Sequence, residues 1–148
     1  MKTSLPAIFD KLSSRSDKRK GGNWREILLR DIECLLNDAS RGADLKLPTG
    51  SNAESSVINF GLPSLSKRIP IDIDPILLAK HIQRIISTFE PRLDSRSIKV
   101  IPLIDGEQCY VLAILFDIYG VCLFAEGEER VNLRIALDYS CGAVRVFK

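Results

Sequence analysis

The spacing of apolar side chains changes once along this chain, close to residue 98, and the change decides what it can fold into. Upstream, "NWREILLRDIECLLND" (23–38) sets Trp24, Leu28, Ile32, Leu35 and Leu36 on one helical face. A second helix sets Leu78, Ile82, Ile85 and Phe89 at intervals of four, three and four. Downstream, "RVNLRIALDY" (130–139) alternates, with Val131, Leu133, Ile135 and Leu137 on one face and Asn132, Arg134 and Asp138 on the other. Helices followed by a run of strands define an α+β fold, with two main helices packed on a small, mostly antiparallel sheet formed by the C-terminal half.

Local signals set the boundaries. Asn23 is placed to cap the first helix, with Glu26 three residues on. Asp74 is a natural cap for the second, Pro75 suits the first helical position, and Pro91 disfavours helical geometry at Glu90, so that helix should stop there. Between the helices, residues 37–56 read as a long polar loop, and Gly61 with Pro63 as a packed turn. "SIKVIPLI" (97–104) is a strand whose Pro102 cannot donate to a ladder, which favours a sheet edge or a bulge. Asp105-Gly106 supplies a turn. "CYVLAILFDIYG" (109–120) is apolar on both faces, as a central strand would be, and 121–129 either extends it or forms an excursion. "AVRVFK" (143–148) is a final strand with Val144 and Val146 on one side.

A chain of 148 residues has the size of one domain and can bury roughly 70% of its unfolded surface. The formal net charge is only +2, but residues 1–30 carry eight Lys/Arg against three Asp/Glu. The expected division is therefore an amphipathic segment (Leu5, Ile8, Phe9, Leu12) and basic arm over 1–22, then a single domain over 23–148. The basic cluster "RSDKRKGG" (15–22) has no interleaved aromatic residues, so no nucleic-acid partner is expected. Cys34, Cys109, Cys122 and Cys141 form no C-x-x-C pair and read as reduced thiols, with Cys109 and Cys122 as small buried hydrophobes. The first residues lack the apolar core of a signal peptide. The longest unbroken apolar run, 109–116, is far short of the roughly 20 residues a spanning helix needs, so a cytoplasmic location without membrane insertion is expected.

Catalytic signals are sparse. His81 stands alone beside Lys80 and Arg84, and reads as a surface or partly buried residue. No nucleophile elbow, phosphate-binding loop or dinucleotide fingerprint occurs. Asp72 and Asp74 in "IDIDP" are a poor metal pair, because Asp74 is better used as a cap. No catalytic residue, cofactor or metal is expected.

Glu90, Pro91 and Arg92 join the second helix to the sheet, and three arrangements are open to them. Their charges face water, where an ion pair contributes about 0–1 kcal/mol. Alternatively, Arg92 makes a fork with a carboxylate inside the fold. In the third, Glu90 and Arg92 face a partner, with Pro91 restricting the turn before binding. The final strand poses a parallel choice, because edge amide and carbonyl groups are either protected or used to pair with another chain.

Five segments in order, "IFDKL" (8–12), "LLRDIECLLN" (28–37), "SSVINFGLP" (55–63), "FEPRL" (89–93) and "LDYSCGAVRV" (137–146), resemble the TssE family of type VI secretion baseplate subunits. That family is similar to the small wedge protein of contractile phage tail baseplates. The resemblance implies a non-enzymatic structural subunit. In it, Glu90, Pro91 and Arg92 engage the larger wedge subunits TssF and TssG, with TssK as a further neighbour. The C-terminal strands, including Val144, Arg145 and Val146, would pair with the sheath proteins TssB and TssC and template the first sheath ring. The baseplate would sit in the cytoplasm, docked at the inner membrane. Relatives described as lysozyme-like make a peptidoglycan-cleaving muramidase the alternative. On the structural reading, Glu90→Ala and Arg92→Ala leave the isolated domain folded and weaken assembly, whereas matching losses of stability would mark an internal ion pair.

Overall fold

The computed structural model describes residues 24–40, 47–63, 74–103, 113–123, 129–138 and 140–147. The amphipathic segment 5–12, the arm 15–22, the Asn23 cap, Asp72, Asp105-Gly106 and Cys109 lie outside the described residues. Helix α1 (Trp24–Asn37) buries Leu28, Ile32, Leu35 and Leu36, with Trp24 packed at the margin, so the expected apolar face is the core face. Helix α2 (Pro75–Phe89) starts as its sequence requires: the Asp74 carboxylate accepts from the Ile76 N–H at 2.8 Å, and Pro75 occupies the first turn. It buries Leu78, Ala79, Ile82, Ile85 and Ile86, and stops at Glu90, whose N–H makes a last bond to the Ile86 carbonyl.

Four strands form one antiparallel sheet and lie across it in chain order. They are β3 (Lys99–Leu103), β4 (Ala113–Cys122), β5 (Glu129–Asp138) and β6 (Val144–Phe147). Pro102 lies on the edge strand β3, where a missing N–H costs no ladder bond, and β4 is an interior strand. The sheet register pairs Cys122 with Glu129, so residues 121–122 extend β4 rather than leave it. One face carries Val100, Phe116, Ile118, Val131, Leu133, Ile135, Leu137 and Val144 into a single core with both helices, α2 toward β3 and α1 toward β6.

The other sheet face has no covering layer among the described residues. Ile101, Leu103, Leu115, Tyr119 and Phe147 are exposed there, around an Asp117–Arg134 ion pair. The two apolar faces of β4 therefore do not have two buried environments; only the face of Phe116 and Ile118 is packed. The Arg134 guanidinium donates to both Asp117 oxygens, at 2.7 and 3.1 Å, and this hydrogen bonding holds the Asp117 carboxyl below its usual range.

The polar stretch between the helices is drawn in at both ends. Ala39 and Ser40 (β1) pair in parallel with Leu62 and Pro63 (β2), and a short 3₁₀ turn spans Val57–Asn59. Ser40 Oγ donates to the Asn59 side-chain oxygen at 2.8 Å, and the Asn59 amide donates to the Glu54 carbonyl at 2.9 Å. The expected turn at Gly61 is present. Its φ of +99° lies in the region that favours glycine, and an added Cβ would come within 2.3 Å of the Asp38 carbonyl oxygen. That oxygen also accepts from the Leu62 N–H.

Gly61→Ala should therefore lower stability by about 2–4 kcal/mol, combining left-handed strain with a displaced backbone bond. Gly120→Ala should change it by less than about 1 kcal/mol, because the new Cβ would meet Leu93 at an ordinary 3.7 Å. Urea unfolding of the two variants checks the contrast.

Candidate functional site

The α2 terminus builds its own ion cluster. Pro91 forces the chain out of the helix, and the turn brings the Arg92 side chain back over Glu90. The Glu90 Oε1 accepts from the Arg92 backbone N–H at 3.1 Å and from Nε at 2.7 Å, while Oε2 accepts from Nη2 at 2.6 Å. The same Nη2 donates to Asp31 Oδ2 on α1 at 2.9 Å, and Asp31 Oδ1 accepts from Arg30. Glu90 is 5% exposed and is the one charged residue fully buried among the described residues. The Arg92 side chain keeps 24% of its surface, and Pro91 is exposed.

These contacts set the charge state of the guanidinium. Hydrogen bonding to Glu90 raises the Arg92 pKa most; burial opposes it, and attraction to Glu90 with bonding and attraction to Asp31 add to the rise. The result lies well above the ordinary arginine range, so the cation persists wherever the protein is folded. Of the three arrangements open to the motif, the internal fork is present. A surface turn with solvated charges is not.

The motif is also stitched to the sheet. Leu93 forms an antiparallel bridge with Cys122, the Leu123 N–H donates to the Arg92 carbonyl at 2.8 Å, and the Asp94 N–H donates to the Val121 carbonyl at 2.9 Å. Glu90 thus fixes the end of α2, Asp31 fixes α1, and Leu93 fixes the far end of β4, with Arg92 at the junction.

The second sequence-derived group, Val144, Arg145 and Val146, lies on β6 at the opposite edge of the sheet from β3. The Val144 side chain is buried and that of Val146 is half-buried against the core, whereas Arg145 is exposed. Val144 and Val146 turn their backbone groups away from β5 and toward α1. There the Asn37 carboxamide accepts from the Val144 N–H at 2.8 Å and donates to the Val144 carbonyl at 2.7 Å. Glu33 Oε2 accepts from the Val146 N–H at 3.1 Å. The preceding turn is shaped by Asp138, which accepts from the Ser140 hydroxyl and N–H; these bonds hold its carboxyl below the usual range.

The structure therefore does not join the two groups into one site. Each is instead connected to α1, through Asp31 for one and through Glu33 and Asn37 for the other. Reasoning along the sequence missed all three residues. Glu33 and Asn37 lie one helical turn apart on the flank of the apolar face, a pattern that marks a lateral polar contact without naming its strand.

The remaining chemistry is modest. His81 is exposed on the wall of a cleft of about 310 Å³ between α2 and the 50–63 segment, which an Arg84–Glu54 ion pair crosses. Cys34, Cys122 and Cys141 are free thiols, and Cys122 is buried as expected. Among the described residues, no three His, Cys, Asp or Glu side chains are grouped to hold a metal ion. No helix there is long and apolar enough to cross a membrane.

Burial of Glu90 changes the expectation for its neighbour. Arg92→Ala strands a carboxylate beneath the turn and should cost about 3 kcal/mol of stability, the lower end for a broken buried pair because Arg92 retains some solvent. Asp31→Asn should cost only about 1 kcal/mol, since Glu90 still holds the guanidinium. Denaturant unfolding of the isolated protein measures both, and equal midpoints for wild type and Arg92→Ala would remove the fork from any role in stability.

A family model described as baseplate wedge protein gp25 matches residues 23–122. The matched span contains Asp31, Glu33, Asn37 and the whole Glu90–Pro91–Arg92 turn, while β5 and β6 follow it. No curated protein and no solved structure gives a significant match.

Proposed function

This chain belongs to the family of the baseplate wedge protein gp25, and from that membership we propose that it is a non-enzymatic structural subunit of a type VI secretion baseplate. Membership itself carries a structural role in a phage-tail-like baseplate, in contact with other baseplate components. The finer assignment is a TssE-like adaptor of one wedge domain over 23–148, with 1–22 as an arm. It would join TssF and TssG, with TssK nearby, to the sheath proteins TssB and TssC, in a cytoplasmic baseplate docked at the inner membrane. Its C-terminal strands would template the first sheath ring.

One observation carries this reading: an exposed Pro91 on a turn anchored from beneath by Glu90, from α1 by Asp31 and from β4 by Leu93. A turn already held in one conformation loses little entropy when a partner binds it. In this arrangement Glu90 orients Arg92, and Pro91 with the outer edge of the guanidinium meets the wedge partner. The muramidase alternative gains nothing from the same residues. A glycosidase needs one carboxyl group held as an acid and another facing it across the sugar. Glu90 and Asp31 instead share one guanidinium.

The test is affinity purification of the tagged protein from its native host, with Pro91→Ala and Arg92→Ala beside wild type, followed by mass spectrometry. Wild type should recover large wedge subunits and sheath proteins. Pro91→Ala, which leaves the ion cluster in place, should recover roughly tenfold less of the wedge subunits, as expected for losing a central contact. Undiminished recovery with both folded variants would sink the clamp. Wild-type recovery of cell-wall enzymes in place of baseplate proteins would overturn the structural reading.

A further inference from the structure

The sheet face turned away from the helices is sorted into two lanes. On β3 and β4 the register sets Ile101, Leu103, Leu115 and Tyr119 close together, an apolar lane whose side chains are between 38% and 48% exposed. On β5 and β6 the same face carries Arg130, Arg134 and Arg145, all exposed. Asp117 interrupts the apolar lane, but Arg134 holds both its oxygens and compensates its charge. Arg130 and Arg145 have no ion-pair partner among the described residues. The solvated face of an antiparallel sheet is ordinarily polar along every strand. Here half of it is apolar, and the other half carries one sign of charge.

We infer that this face docks one acidic amphipathic α-helix of another protein, laid along β3 and β4 with its apolar stripe on the lane and its Asp and Glu side chains over β5 and β6. The dimensions fit. A helix is about 10 Å across and strands are about 4.8 Å apart, so a stripe seated on two strands puts the helix flank over the third and fourth. Arg145 lies beside Ala136, six residues along β5 from Arg130, which separates the two guanidinium groups by about 20 Å along the strand. Acidic residues must therefore extend over about 13 residues of the helix, close to four turns. Charge complementarity fixes the sign of the partner, and the apolar lane fixes the side on which its stripe must lie.

Two other occupants fit less well. A second copy of this chain would set arginines against arginines. Where all four strands run together the face is also only about 19 Å by 15 Å, well short of the roughly 800 Å² per partner of a stable dimer. An anionic membrane would attract the arginines, but seating the apolar lane in it would carry the Asp117 carboxylate toward acyl chains, where a charge is costly. The inference is independent of the clamp at the α2 terminus, because both helices pack on the opposite face of the sheet.

Photocrosslinking of the full-length protein in its native host reads the occupant directly. The photoreactive residue p-benzoylphenylalanine replaces Tyr119 and, as a control, Val57, which is exposed on the 3₁₀ turn. Mass spectrometry should recover from the Tyr119 position, and not from Val57, a peptide whose sequence is an apolar helical stripe flanked by Asp and Glu. In that background Arg130→Glu/Arg145→Glu should lower the yield roughly tenfold, while Lys80→Glu, exposed on α2, should leave it unchanged. Arg145→Glu alone supplies the comparison if the double variant does not fold. Crosslinks to a second copy of this chain, to phospholipid or to a peptide without the acidic flank would overturn the inference. So would the absence of any crosslink, or a yield indifferent to charge reversal. An acidic helix from a protein outside any baseplate would sustain the inference and sink the baseplate assignment.

Discussion

Arg92 sits between two carboxylates that come from different parts of the chain, and much of the arrangement depends on that placement. Glu90 is almost completely buried at the end of α2. A carboxylate there is costly unless its charge is compensated and its oxygens are hydrogen-bonded. Arg92 does both within two residues, across a turn that its own contacts with Glu90 and Asp31 hold in place. The same guanidinium then reaches Asp31, so compensation of one buried charge also fixes how the two helices meet. Its backbone continues into contact with the end of β4. One short turn thereby sets the relation of α1, α2 and the sheet.

Helix α1 has a corresponding part on the other side of the molecule. Its apolar face closes the core, while its flank carries Asp31 toward the turn and Glu33 with Asn37 toward β6. Membership of the baseplate wedge family implies contact with other baseplate components. Here the turn after α2 and the edge of β6 are far apart in sequence but both bear on one helix. The open face of the sheet, with Ile101, Leu115, Tyr119 and Phe147 around the Asp117–Arg134 pair, is left outside this linkage.

The elements that are legible in the sequence are those specified by local spacing. The buried faces of both helices, the Asp74 cap, the stop at Glu90, the alternation of β5 and the edge position of Pro102 each follow from residues within a few positions of one another. What spacing does not contain is which distant polar group completes a bond. Glu90 and Arg92 could be named as a pair, but nothing in Asp31 distinguishes it from other helix-surface carboxylates until α1 is laid against α2. Asn37 likewise reads as an ordinary residue at a helix end, although its carboxamide closes an edge strand 107 residues away. The parallel pairing of Ala39–Ser40 with Leu62–Pro63 has the same character. Two residues per strand leave no periodic trace.

The most direct test of the junction is a double-mutant cycle between Asp31 and Arg92, with each residue changed to alanine singly and together and stability measured by denaturant unfolding. If Arg92 couples the two helices, the losses will be non-additive, with an interaction energy of about 1 kcal/mol or more. Additivity to within about 0.3 kcal/mol would mean that Arg92 compensates Glu90 alone and that the meeting of the helices is set by their apolar faces.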